Sequence, residues 1–209
     1  MDTPADDGTP EQAGYRRSAG SPRGEARRRD LLHRVTDGLA VNGLVDFSLR
    51  RAARAAGTTH KVLLYYFDGA DDLLKQSIFQ LREKRTGQAW AAATDEGSAR
   101  RTPAEWVRTV WPDLVGAEAR VLEQAIGLAM YDPDRYAELG RGGASEQYLP
   151  VLLSVCPEHW SGQRKHEVAE MVLATLRGFL VDARTSGGTA GIAAGFEALA
   201  RALEREEAT

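Results

Sequence analysis

Cysteine is nearly absent. Cys156 stands alone among 209 residues, which excludes an intramolecular disulfide framework and fits a reducing compartment. No apolar run approaches the ~18 residues of a membrane-spanning helix. Residues 1–24 contain no apolar segment of the secretory kind, so the expected location is cytoplasmic. Alternating β-branched runs are missing as well, and the chain reads as all-α. Catalytic signatures are equally scarce: there is no G-x-S-x-G, no H-E-x-x-H and no paired glycine fingerprint. Gly140-Arg141-Gly142-Gly143 follows no strand and precedes no GK[ST], so it is a helix break and not a phosphate loop. Cys156 and His159 have ligand-like spacing, but no second pair completes a zinc site. An enzyme, a metal site and a cofactor are therefore not expected.

What is present is uneven. The net charge of −3 alone argues against a nucleic-acid partner, but its distribution argues for one. Between Tyr15 and Phe67 eleven Lys and Arg face four Asp and Glu, a net +7. From Asp68 onward sixteen face twenty-two, a net −6. Neutralising phosphates needs clustered positive charge, and this asymmetry supplies it at one end of the chain.

The basic segment contains a compact pattern from Ser48 to Phe67. Ser48 is a good N-cap, since its hydroxyl can accept from an unpaired first-turn N–H. Leu49, Ala52, Ala53 and Ala56 follow at helical spacing and make a narrow, small apolar face. Gly57 stands where a helix ends, because glycine takes a left-handed conformation without a Cβ penalty. Thr58 or Thr59 can cap a second helix whose inner face is Leu63, Tyr66 and Phe67. Small Ala53 favours a close crossing of the two helices. A preceding helix from about Glu25 to Val41 buries Leu31, Leu32, Val35 and Leu39 and ends at Asn42-Gly43. Leu44, Val45 and Phe47 then plug a small three-helix core. These are the requirements of a helix-turn-helix.

From about Arg28 to Leu74 the chain resembles the DNA-binding domain of the tetracycline-repressor (TetR) family. The resemblance is carried by LLHRVTDGLAVNGLVDF, SLRRAARAAG, the closing YYF and the acidic helix start DDLL. It implies a three-helix DNA-binding domain over 25–69, preceded by residues 1–24, whose Asp, Gly, Pro and Ser and lack of periodic apolar residues read as a disordered, basic-ended arm. A larger C-terminal helical domain over 70–209 would bind ligand and dimerise. It also implies a homodimeric repressor on a pseudo-palindromic double-stranded operator, released by a small-molecule effector, which the aromatic and methionine residues of the second domain suggest is mostly apolar. The arginines of the arm either enter an adjacent minor groove or form a solvated tail.

DNA contact is expected from Arg28, Ser48, Arg50, Thr58, Thr59, His60, Lys61, Val62 and Tyr65, with Leu64 also outward. Tyr66 completes the set, although helical spacing turns it inward beside Leu63. Hydroxyls and Lys61 would meet phosphates or base edges, and Val62 a thymine methyl. Lys61 and Val62 replace a small glycine and threonine frequent in the family, Leu64 a tyrosine, and Ala70 a lysine. These departures imply an altered operator and fewer backbone contacts, with Arg50, Arg51 and Arg54 compensating.

Beyond Asp71 and Asp72, which suit a helix N-terminus, the chain continues as helices. A long one carries Leu73, Leu74, Ile78, Leu81 and Trp90; Thr94 to Arg101 is a loop; Thr102-Pro103 opens another as N-cap and first position. Further helices cover Ala117 to Tyr131, a short stretch after Pro133, a segment from about Ser145, and Gln163 to about Ser186. Gly187-Gly188 ends the last of these, and Thr189 caps the final helix. Trp106, Val110, Ile126, Met130, Tyr148 and Met171 are the expected lining of an effector pocket. Val168, Val172, Leu176 and Phe179 on one helix, with Ile192, Phe196, Leu199 and Leu203 on the last, are the expected dimer interface. The alternative for both groups is ordinary packing within one subunit.

Overall fold

The computed structural model describes residues 21–94, 100–140, 144–186 and 189–209. Among the described residues ten helices follow one another: α1 (Pro22–Asn42), α2 (Leu49–Ala55), α3 (His60–Tyr66), α4 (Ala70–Ala91) and α5 (Pro103–Leu114). Then come α6 (Ala117–Tyr131), α7 (Pro133–Gly140), α8 (Ala144–Val155), α9 (Gly162–Thr185) and α10 (Thr189–Glu207). Among the described residues no strand forms, and Thr94 and Arg100 make one isolated antiparallel bridge. The chain is all-helical. The expected arm up to residue 20, most of the 94–101 loop and the glycine breaks at 141–143 and 187–188 lie outside the described residues.

Two compact units divide the chain, one ending at Gln80 and one beginning at Leu81. In the first, α1 starts earlier than its apolar periodicity indicates. Ser21 accepts from the Gly24 amide at 3.1 Å and Pro22 opens the helix, so Ser21 to Gly24 form a cap and first turn, not part of an arm. Leu31, Val35, Ala52, Ala53, Ala56, Leu63, Phe67 and Leu73 make the core. The close approach of α1 and α2 depends on Gly38, where an added Cβ would sit 2.6 Å from the Ala55 Cβ. Ala53, expected to allow the close crossing of α2 and α3, is buried in this core. Leu44 is buried and Phe47 packs on the core, whereas Val45, expected beside them, is 65% exposed. The Thr36 hydroxyl lies 2.7 Å from Gln80 Oε1 and 2.8 Å from the Leu32 carbonyl, joining α1 to α4.

The second unit is built around Trp106, Val107, Val151, Leu152, Val172 and Leu203, all essentially inaccessible. Thr102 and Glu105 form a capping box at the start of α5, the Thr102 amide donating to Glu105 Oε2 at 2.9 Å and Pro103 following the cap. The Trp106 indole donates to the Ala89 carbonyl at 3.1 Å, which lets a large polar-tipped ring sit in the core. Trp111 stacks on Phe196 at 4.8 Å and meets Phe179 edge-on at 6.2 Å, locking α5, α9 and α10 together. At the periphery Arg108 donates to Glu204 at 2.6 Å and Arg164 to Glu206 at 2.7 Å. Trp90, on the expected apolar face of α4, is instead exposed.

Cys156 is buried, and desolvation pushes its thiol up to about 11. An unfolded thiol ionises near about 8.5, so above that pH the unfolded chain gives up its proton first and stability falls. The contribution is whole below the unfolded value and lost as pH rises through the folded one. Urea unfolding across this alkaline window should record the decline, and Cys156→Ala should flatten that part of the curve. An unchanged slope would mean that the thiol is not held protonated by the core.

Candidate functional site

The Ser48–Phe67 stretch folds as two seven-residue helices around a tight turn. Ser48 caps α2 by accepting from the Arg51 amide at 3.3 Å. After Ala56, Gly57 takes φ +63°, and the Thr58 amide donates to the Ala53 carbonyl at 2.9 Å, closing the turn. An L side chain is strained in that region, so glycine is needed at 57. Thr59 then caps α3, its hydroxyl accepting from the Val62 amide at 3.3 Å. Of the two threonines weighed for this role, Thr59 performs it.

The outward face of α3 carries Thr59, His60, Lys61 and Leu64, all exposed, with half-buried Tyr65 beside them. Leu63 and Phe67 point into the core, and half-buried Tyr66 packs on it. The Tyr65 and Tyr66 rings meet edge-on at 4.7 Å. Val62 differs from expectation: it is half-buried and packs against the core, while Leu64 is 51% exposed. The exposed large apolar side chain of this helix is therefore Leu64. Thr58 is half-buried in the turn; Arg50 and Arg54 are exposed on α2. Arg51 donates to the Val45 carbonyl at 2.6 Å and is tied to the loop before α2.

Arg28 also departs from its expected place. Its Nε donates to the Tyr66 carbonyl at 3.3 Å, Nη2 donates to Gln76, and the guanidinium stacks over the Phe67 ring at 5.0 Å. It fastens α1 to the end of α3 and to α4. With these bonds made, Arg28 positions α3 and is not a free phosphate-seeking cation. Its partners lie 38 and 48 residues away in sequence, so no local signal marks this role.

The second unit contains a cavity of about 100 Å³. Trp106, Ile126 and Tyr148 line it as expected, the Trp106 and Tyr148 rings lying 6.4 Å apart. Val110 is core but not on this wall. Met130 is 80% exposed, because it lies in the last turn of α6, where Tyr131 is bare too. Met171 is 50% exposed: the inner face of α9 is Val168, Ala169, Val172, Leu173 and Leu176, and position 171 falls outside it. Sequence reasoning missed Leu114, Leu173 and Glu123 on the wall. A readable signal existed for Glu123, which shares a helical face with Ala119 and Ile126.

Most of the stripe expected to join two subunits is occupied within one. Val168, Val172, Leu176, Phe196 and Leu203 are buried in the core of the second unit, and half-buried Phe179 and Leu199 pack against it. Ile192 is half-buried. Periodicity locates such a stripe but cannot say whether it faces a neighbouring helix of the same chain or of another. The outer surface of α9 instead exposes Met171, Ala174, Gly178 and Val181, and that of α10 exposes Gly191, Ala194 and Ala198.

Among the described residues no group of three or more His, Cys, Asp or Glu is placed to hold a metal ion, and no helix is long and apolar enough to cross a membrane. Compared with known proteins, the chain matches no family model and no curated protein.

Proposed function

We propose that the chain is a DNA-binding transcription regulator of the tetracycline-repressor type. The observation that carries this reading is the capped pair α2 and α3 around Gly57, with Thr59, His60, Lys61 and Leu64 exposed on one face of α3. In this reading the first unit is a helix-turn-helix domain and α3 lies in the major groove. Lys61 and the Tyr65 hydroxyl meet phosphates or base edges, Leu64 meets a thymine methyl, and Arg50 and Arg54 contact the backbone from α2. The capping hydroxyls of Ser48 and Thr59 keep a free lone pair each, but their main task is to hold the two helix starts.

The second unit binds effector and pairs two copies of the chain, so that two recognition helices read a pseudo-palindromic operator. Since the buried stripe is spent inside the subunit, the pairing surface is the exposed small face of α9 and α10, from Met171 to Val181 and from Gly191 to Ala198. The effector is a small, mostly apolar molecule that releases DNA. It acts only through its different affinity for the conformers that do and do not fit the operator.

Protection mapping on the region upstream of the protein's own gene tests the reading, with affinity followed against salt. Binding to a two-fold-related site is expected, and Lys61→Ala should lower the salt slope by about one. Indifference to duplex DNA even in dilute salt would remove the regulator reading. An unchanged slope in Lys61→Ala would remove the placement of α3. Sedimentation showing only monomer at micromolar concentration would remove the dimer.

A further inference from the structure

The cavity of the second unit has a mostly apolar wall that also carries Arg82, Glu123, Gln147 and Arg177. Trp106, Leu114, Ile126, Tyr148, Leu173 and Leu176 supply the apolar surface. Glu123 lies on the same wall, and its two carboxylate oxygens are treated differently. Oε2 accepts from Arg184 Nε at 3.1 Å, and Arg184 is itself anchored by donating to the Val115 and Gly116 carbonyls at 3.1 and 3.3 Å. Oε1 is buried and has no hydrogen-bond partner among the described residues. A buried acceptor left unmet is costly and uncommon, and a specific one calls for an explanation.

We propose that the cavity takes an uncharged molecule no larger than about one ring, which donates a single hydrogen bond to Glu123 Oε1. This rests on the reading of the second unit as the effector-binding part. Size follows from volume, since an apolar cavity of about 150 Å³ is known to hold benzene and this one is about 100 Å³. Polarity follows from the wall, which rewards an apolar body and one donor. Charge follows from the surroundings. Arg184 already balances the Glu123 carboxylate, and Arg82 and Arg177 line the cavity, so a cationic ligand would meet two guanidinium groups there. An anionic ligand would set a second acceptor against Oε1. A phenol-like hydroxyl or an un-ionised aromatic N–H satisfies the site, and the donor fixes which way the ring enters.

Phenol, toluene and benzylammonium separate these cases, since they share the ring and differ in donor and charge. Affinities are read on the full chain without DNA, by saturation-transfer NMR and tryptophan fluorescence. Phenol should bind about tenfold or more tightly than toluene, as expected for a bond to a buried charged acceptor. In Glu123→Leu the preference should vanish while toluene still binds; Glu123→Gln, which keeps an acceptor and the side-chain shape, should retain part of it. Equal affinity for phenol and toluene in the unaltered chain, tighter binding of benzylammonium than phenol, or binding of none of the three would each overturn the inference. The unaltered chain decides this even if Glu123→Leu fails to fold. A chain that prefers phenol yet ignores duplexes would keep the ligand class and lose the regulator. One that binds duplexes but no probe would do the reverse.

Discussion

Exchanging Leu63 for alanine should cost about 2–5 kcal/mol and take duplex binding away with it. Leu63 is wholly inaccessible at the centre of the first unit, on the side of α3 opposite Lys61. The unit is small, so a loss of that size is a large part of the ~5–15 kcal/mol that stabilises a typical domain. Backbone amide exchange in α1 to α3, followed through a urea series, would report it. Lys61→Ala is the contrasting variant: an exposed substitution should leave stability within about 0.5 kcal/mol and alter only the salt dependence of binding. If Leu63→Ala were as stable as the original, α3 would not pack as described. If it were unstable yet bound DNA with full affinity, the two helices would not be the reading element.

Trp106→Ala should be the most damaging single change in the second unit, at about 3–5 kcal/mol. The side chain is the largest of those fully buried, and its indole satisfies the Ala89 carbonyl. Its removal takes away ring volume, deletes one wall of the cavity and strands that carbonyl together. Trp106→Phe separates the contributions, keeping most of the ring and losing only the donor; it should cost roughly the 1–3 kcal/mol of an unmet buried acceptor plus a small packing loss. Calorimetry on both variants would order them. Equal losses would mean that the hydrogen bond, and not ring volume, governs the site.

Local features were read from sequence with little error, and the reason is that their causes are local. The Thr102-Pro103 start of α5 needs only a hydroxyl, a ring-locked φ and a glutamate three residues on. The Ala56-Gly57 turn needs only one residue at ease with positive φ. Ser21-Pro22 carried the same information for α1 and went unread, because apolar periodicity starts later than the helix does. Faces were harder. Ile126 and Met130 stand in one helical line, yet the first lines the cavity and the second lies in the open, because α7 meets the last turn of α6 on its Ala129 side. Val62, expected outward, is half-buried while Leu64 is exposed as expected: the neighbours of a short helix, not its period, decide which flank is covered.

The sequence by itself determined that the chain is helical, where its caps and turns fall, and that the basic charge gathers around one short helix pair. Each of these depends on contacts within a few residues or on composition. Tertiary structure alone decided that Arg28 is tied to Tyr66 and Gln76, and that the Val168-to-Leu203 stripe is filled within the subunit. It also decided that one oxygen of Glu123 is buried without a partner. Those outcomes join residues tens of positions apart, and burial depends on which surfaces meet after the helices have formed.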